Sequence, residues 1–157
     1  MHNLTEVLAC ITSQYPKPSD LSNARLTKLV YLSDWHHVLM HGVPISSINW
    51  YFDNYGPFVW DIKEAVVANP SLFEMVQTRN VFGSDKTEIH FRCDASPCRL
   101  SESAMASITF VIEKTKSLSW SDFIRLVYST YPVSSSPRYT FLNLTEKARE
   151  YKSSRKG

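Results

Sequence analysis

From Leu26 to His41 apolar side chains recur on nearly every side of a helical wheel. At about 100° per residue, Leu26, Leu29, Val30, Leu32, Trp35, Val38 and Leu39 surround most of the circumference and leave a narrow polar strip of Thr27, Asp34 and His41. A helix wrapped in this way has little to offer water, so it belongs in the middle of a domain with other elements around it. Leu29 and Trp35 are therefore core candidates. Lys28 falls in the same stretch, near Trp35 and Leu39. Its ammonium must snorkel out or find a carboxylate or carbonyl partner, because an unpaired buried charge is strongly unfavourable.

Punctuation on either side sets the limits of this helix. Residues 3 to 13 read as a short amphipathic helix with Leu4, Val7, Leu8 and Ile11 on one face, ended by Pro16 and Pro18. Ser19 or Asp20 is the expected N-cap of the central helix, and Gly42 its C-cap, with Pro44 just beyond. Residues 48 to 53 look extended. Asn54 to Pro57 makes a turn, and Pro57 is expected at the first position of a helix carrying Val59, Trp60, Ile62, Ala65 and Val66 to about Asn69. Two β-prone runs, 73 to 76 and 87 to 93, flank Gly83-Ser84-Asp85 and suggest a hairpin that must lie on helices to be stable.

Ser101 is the expected cap of a helix with Ala104, Ile108, Val111, Thr115 and Leu118 at helical spacing. Ser119 does the same for Trp120, Phe123, Ile124, Val127, Tyr128 and Tyr131, the cleanest periodicity in the chain. Pro132 is expected to end that helix, residues 134 to 137 to form a loop, and Thr145 to Tyr151 a last short helix. The fold class is mainly α with a small β-hairpin, in one compact domain over residues 1–157.

A chain of 157 residues is long enough to bury about two thirds of its unfolded surface as one domain. A formal net charge of +2 exerts no strong pull on nucleic acid or anionic membrane, so neither is an expected partner. The basic stretch near 152–157, prepared by Lys147 and Arg149, reads as a solvated, frayed helix end, with an acidic partner or RNA as the functional alternative. Three cysteines, Cys10, Cys93 and Cys98, cannot all pair within the chain. The first residues lack the layout of a signal peptide, and no apolar run reaches the length of a membrane span, so the expected compartment is the cytoplasm.

Several arrangements approach known chemistry without completing it. His37 and His41 have the i, i+4 spacing of two zinc-protease ligands, but Val38 stands where the general-base glutamate is needed. His90, Cys93 and Cys98 are soft donors at loose spacing; Cys93 as a buried strand residue and Cys98 as an ordinary thiol is the plainer reading. Four dispersed glycines make no phosphate-cradling loop. Asp61 and Glu64 read as surface charges. No catalytic, cofactor-binding or metal residue is assigned and no cofactor is expected; a metal-dependent hydrolase using His37, His41 or the Cys93 region remains the rival class. Trp50, Tyr51, Phe52, Tyr55, Phe58 and Trp60 form the densest aromatic cluster. Core packing and a protein-binding patch are both open for it, and Trp50, Phe52, Tyr55 and Trp60 are the candidate partner contacts.

Lys28-Leu29-x-Tyr31-Leu32, the aromatic-His pair Trp35-His36 and the Tyr55-Gly56-Pro57 turn, with Leu126-Val127-Tyr128 and Tyr131-Pro132 later, resemble the Panacea domain, also called the SocA-type antitoxin domain, over roughly residues 5 to 150. Lys28, Leu29, Tyr31, Trp35, Gly56 and Pro57 are its structural motif residues, and Trp60 stands where the family tolerates many residues. The resemblance implies an antitoxin of a bacterial or phage toxin-antitoxin system, which binds a cognate toxin encoded by a neighbouring gene. A homo- or hetero-oligomer is compatible with this. It also implies an alternative within the same interaction class, a proteolytic adaptor that delivers the toxin to a protease.

Overall fold

A computed structural model describes residues 2–93 and 98–156 of the chain. Its architecture is mainly helical α+β, built around α2 (Asn23–His41). Leu26, Leu29, Val30, Tyr31 and Val38 of this helix are fully buried, and Trp35 is 7% exposed. Against it pack α1 (Leu4–Gln14), α4 (Glu102–Thr115) and α7 (Leu144–Lys156). The expected cap was placed too early. Pro18–Asp20 forms a 3-10 turn, and Ser22 is the N-cap, its Oγ accepting from Arg25 N at 3.0 Å. The proline-led turn consumes Ser19 and Asp20, and Ser22 is the next residue whose side chain can reach a free amide. At the other end Gly42 adopts φ 82°, the left-handed cap expected of it.

The polar strip of α2 is also largely internal. Thr27 and Asp34 are each 1% exposed, and only His41 reaches solvent. Thr27 satisfies its hydroxyl on Asn23 O at 2.8 Å. Asp34 is the acceptor of a buried knot: it takes Ile45 N (3.0 Å), Ser46 N (2.9 Å), Ser46 Oγ (2.5 Å) and Trp50 Nε1 (2.9 Å). A carboxylate in a helix thereby supplies the hydrogen bonds that fix the extended segment after Gly42. Tyr31 reaches across to Thr130 Oγ1 at 2.8 Å, tying α2 to the end of α5 (Trp120–Ser129).

The hairpin expected about Gly83 is present, and a second antiparallel hairpin precedes it. β1 (Tyr51–Asp53) pairs with β2 (Gly56–Phe58), and β3 (Phe73–Arg79) with β4 (Asp85–Phe91). Pro57 therefore opens no helix. It lies in β2 opposite Phe52, and α3 (Asp61–Ala68) begins four residues later, with Trp60 at its N-cap position. The turn is tight because Gly56 adopts φ 102°, and a proline without an N–H is tolerated at the edge of a two-stranded sheet. The other edge of β1 is used by a late segment: Phe52 N donates to Thr140 O (2.9 Å) and Leu142 N to Trp50 O (2.8 Å).

Ser101 and Ser119 cap α4 and α5 as the sequence indicates, accepting from Ala104 N and Asp122 N. Pro132 does not terminate α5. That helix ends at Ser129, and Pro132 sits in the first turn of α6 (Tyr131–Ser134), where its missing N–H is harmless. α7 runs well past Tyr151 to Lys156, so the basic end is helical rather than frayed.

The cysteines differ from expectation. Cys93 is exposed, just beyond the end of β4. Cys10, on the buried face of α1, is disulfide-bonded to Cys98, with Cα atoms 4.8 Å apart. Packing of α1 brings the two together across a separation of 88 residues, which no local spacing reveals. Pro97, the neighbour that suggested a plain thiol at Cys98, lies outside the described residues.

Candidate functional site

The aromatic cluster is split by the β1–β2 hairpin. Alternation along β1 turns Trp50 and Phe52 the same way, inward, where they are 1% and 4% exposed. Trp50 packs edge-on against Tyr31 with ring centroids 5.6 Å apart. In this conformation neither can touch a partner, so the two partner candidates left at the surface are Tyr55 and Trp60, 80% and 64% exposed. Trp60 stands perpendicular to Phe58, centroids 5.1 Å apart.

These two residues form one wall of a groove of about 520 Å³ between the start of α2, the β1–β2 hairpin and α5. The opposite wall is Trp120, Ile124 and Tyr128. The periodicity of α5 marks all three as core, but only Phe123 and Val127 are buried there, while Trp120 is 46% exposed. An amphipathic stripe wider than the contact it makes leaves its margin at the surface. The wall is held by Arg25, itself 4% exposed, whose guanidinium lies 4.7 Å from the Phe123 ring and 5.8 Å from that of Trp120 and donates to Tyr15 Oη at 3.1 Å.

Lys28 lies on the groove floor. It is 4% exposed and, among the described residues, makes no hydrogen bond or salt bridge; its Nζ is 6.0 Å from the Phe58 ring centroid. Its Cε passes 3.8 Å from where a Cβ on Gly56 would stand, and Tyr128 closes the same space at 3.7 Å. Gly56 thus serves twice, by its positive φ and by leaving room for Lys28. Burial depresses the Lys28 ammonium from 10.5 to about 8, opposed by the nearby Asp53 carboxylate.

That depression has a sign for stability. Below about pH 8 the amine is charged in both states and the native protein bears the full desolvation cost. Between about 8 and 10.5 the native amine is neutral while the unfolded one is still protonated, so this group's contribution becomes less unfavourable as pH rises. Lys28→Met is expected to raise stability by about 3 kcal/mol near neutral pH, with the gain shrinking towards about pH 10. Urea unfolding of both proteins at the two pH values checks this. A loss of stability at neutral pH would mean that the ammonium is well satisfied.

The histidine spacing has a structural use. His37 engages Val43 O through Nδ1 (2.6 Å) and Ser103 Oγ through Nε2 (3.0 Å), so both ring nitrogens are committed to protein groups. His90 bonds Glu88 at 2.9 Å, and Cys98 is taken up by the bridge to Cys10. Among the described residues no three His, Cys, Asp or Glu side chains gather as a metal cluster, and no helix is long and apolar enough to cross a membrane.

No curated protein and no solved structure matches the chain. One family model does, over residues 26–132, a span that starts with α2, includes both hairpins and the groove, and ends at the buried Pro132. That match takes in well over half of the 157 residues and every motif position from Lys28 to Pro57, so the chain belongs to the antitoxin SocA-like, Panacea domain family.

Proposed function

We propose that this protein is a cytoplasmic antitoxin that neutralises a cognate toxin, encoded by a neighbouring gene, through direct binding and without catalysis. Family membership supports an antitoxin-type role. The observation that carries the binding mode is the groove between the β1–β2 hairpin and α5, with Tyr55, Trp60 and Trp120 exposed at its rim. Large aromatic groups at a surface supply contact area at low entropic cost and frequently anchor interfaces. A standard interface of about 1,600 Å² centred there would suffice to cover a toxin's active site or hold it in an inactive shape.

Co-expression with the adjacent gene product should restore growth, and the two proteins should copurify. Growth rescue without a physical complex would count against direct binding. Trp60→Ala is expected to weaken the complex by about 2 kcal/mol or more, roughly 30-fold, with little change in melting temperature. Trp50→Ala, by contrast, should reduce binding only as far as it unfolds the protein.

A further inference from the structure

We propose that the groove is built to receive an acidic side chain of the bound partner, whose carboxylate pairs with Lys28. This rests on the neutralisation reading above and specifies the chemistry of the contact.

One charged group in the groove lacks an ionic partner. Lys28 is 4% exposed, forms no ion pair among the described residues, and its ammonium keeps its remaining surface where the side chain lines the groove. Its one nearby opposite charge, Asp53, forms no salt bridge with it. A cation held in an apolar groove without a counter-ion calls for a reason, and an acidic side chain entering the groove supplies the charge that Lys28 lacks. An acidic residue of a bound protein brings that carboxylate together with neighbouring surface for the groove's aromatic rim, which a small free acid does not.

The walls strengthen the pairing. Phe58, Trp60, Trp120 and Tyr128 line the groove with low-polarity surface, the Phe58 ring 6.0 Å from the ammonium, and an ion pair in such surroundings is stronger than in water. Exposed Trp60 and Trp120 at the mouth are placed to close over the partner and exclude water, the arrangement in which a central charged contact carries much of an interface. The depressed Lys28 amine is the free protein's half of this design: it is held at a stability cost until its anion arrives.

The first arm of the test needs no toxin. The full chain, with lysine ε-carbons and tryptophan indoles observed by NMR, is titrated at millimolar concentration with 3-phenylpropionate and separately with its neutral isostere 3-phenylpropionamide. The carboxylate should shift Lys28, Trp60 and Trp120 and raise the Lys28 titration above about 8; the amide should not. Lys28→Met should melt no lower than the parent and lose the response. Equal responses to the two probes, no response to either, or a response that survives Lys28→Met overturns the proposal.

The second arm uses the adjacent gene product. Lys28→Met should weaken the complex about 30-fold, Lys28→Arg should lose less, and one Asp or Glu of the partner should couple to Lys28 in a double-mutant cycle. A selective carboxylate response combined with full partner affinity in Lys28→Met would make the groove a site for a free small acid, overturning this inference while leaving neutralisation intact. If the parent chain forms no complex at all, the neutralisation reading fails, and the protein source of the carboxylate fails with it.

Discussion

Trp50→Ala should lower stability by about 3 to 5 kcal/mol, the usual range for removing a buried large aromatic side chain. Trp50 is 1% exposed and stacks edge-on against Tyr31, so its loss opens a cavity beside the central helix. It also removes the indole donor 2.9 Å from Asp34. The carboxylate keeps Ile45 N, Ser46 N and Ser46 Oγ, but burial already raises its pKa, and losing a donor makes its charged form still less favourable. Against a total of about 5 to 15 kcal/mol for a domain, such a variant is marginal. Urea unfolding should show a much lower midpoint with a similar slope. A midpoint equal to the parent's would mean that Trp50 is not part of the core.

Reduction of Cys10–Cys98 should have an effect of similar size for a different reason. The bridge closes a loop spanning 88 positions, and the chain-entropy relation gives about 4 to 5 kcal/mol for releasing a loop of that length in the unfolded state. Cys10 is fully buried on α1 and changes little sterically as a thiol, so the fold itself should persist. The melting temperature should fall by roughly 10 °C or more with reductant, and Cys10→Ala should lose that sensitivity. Melting that is indifferent to reductant in the parent would show that the two sulfurs are not bonded in the purified protein. In a reducing compartment the pair stays as thiols, and the protein works at its lower stability there.

What could be read from the chain divides along the range of the interactions involved. Helix limits that depend on one or two residues were legible. Gly42 stops α2, and Ser101 and Ser119 start α4 and α5, because a cap is a contact between near neighbours. The burial of α2 was legible too, since apolar residues on nearly every side of a helix leave it nowhere else to go. The family could be recognised from the same stretch, before any contact between distant residues was known.

Only the tertiary structure decided which polar and aromatic residues matter at the surface. Pairing of Phe52 with Pro57 made a strand of residues that suit a helix start, because the hairpin supplies a partner that the local sequence does not announce. Period-2 alternation put Trp50 and Phe52 on one face, but the indole bond to Asp34 and the edge-on contact with Tyr31 chose that face as the inner one. Lys28 had to be snorkelled or paired on the sequence alone. It has no ion pair, and its nearly buried stem ends in the groove, because Gly56 of the hairpin and Tyr128 of α5 close around it from two separate parts of the chain. A side chain's burial is set by everything that packs on it, and for Lys28 those neighbours are as many as 100 residues away.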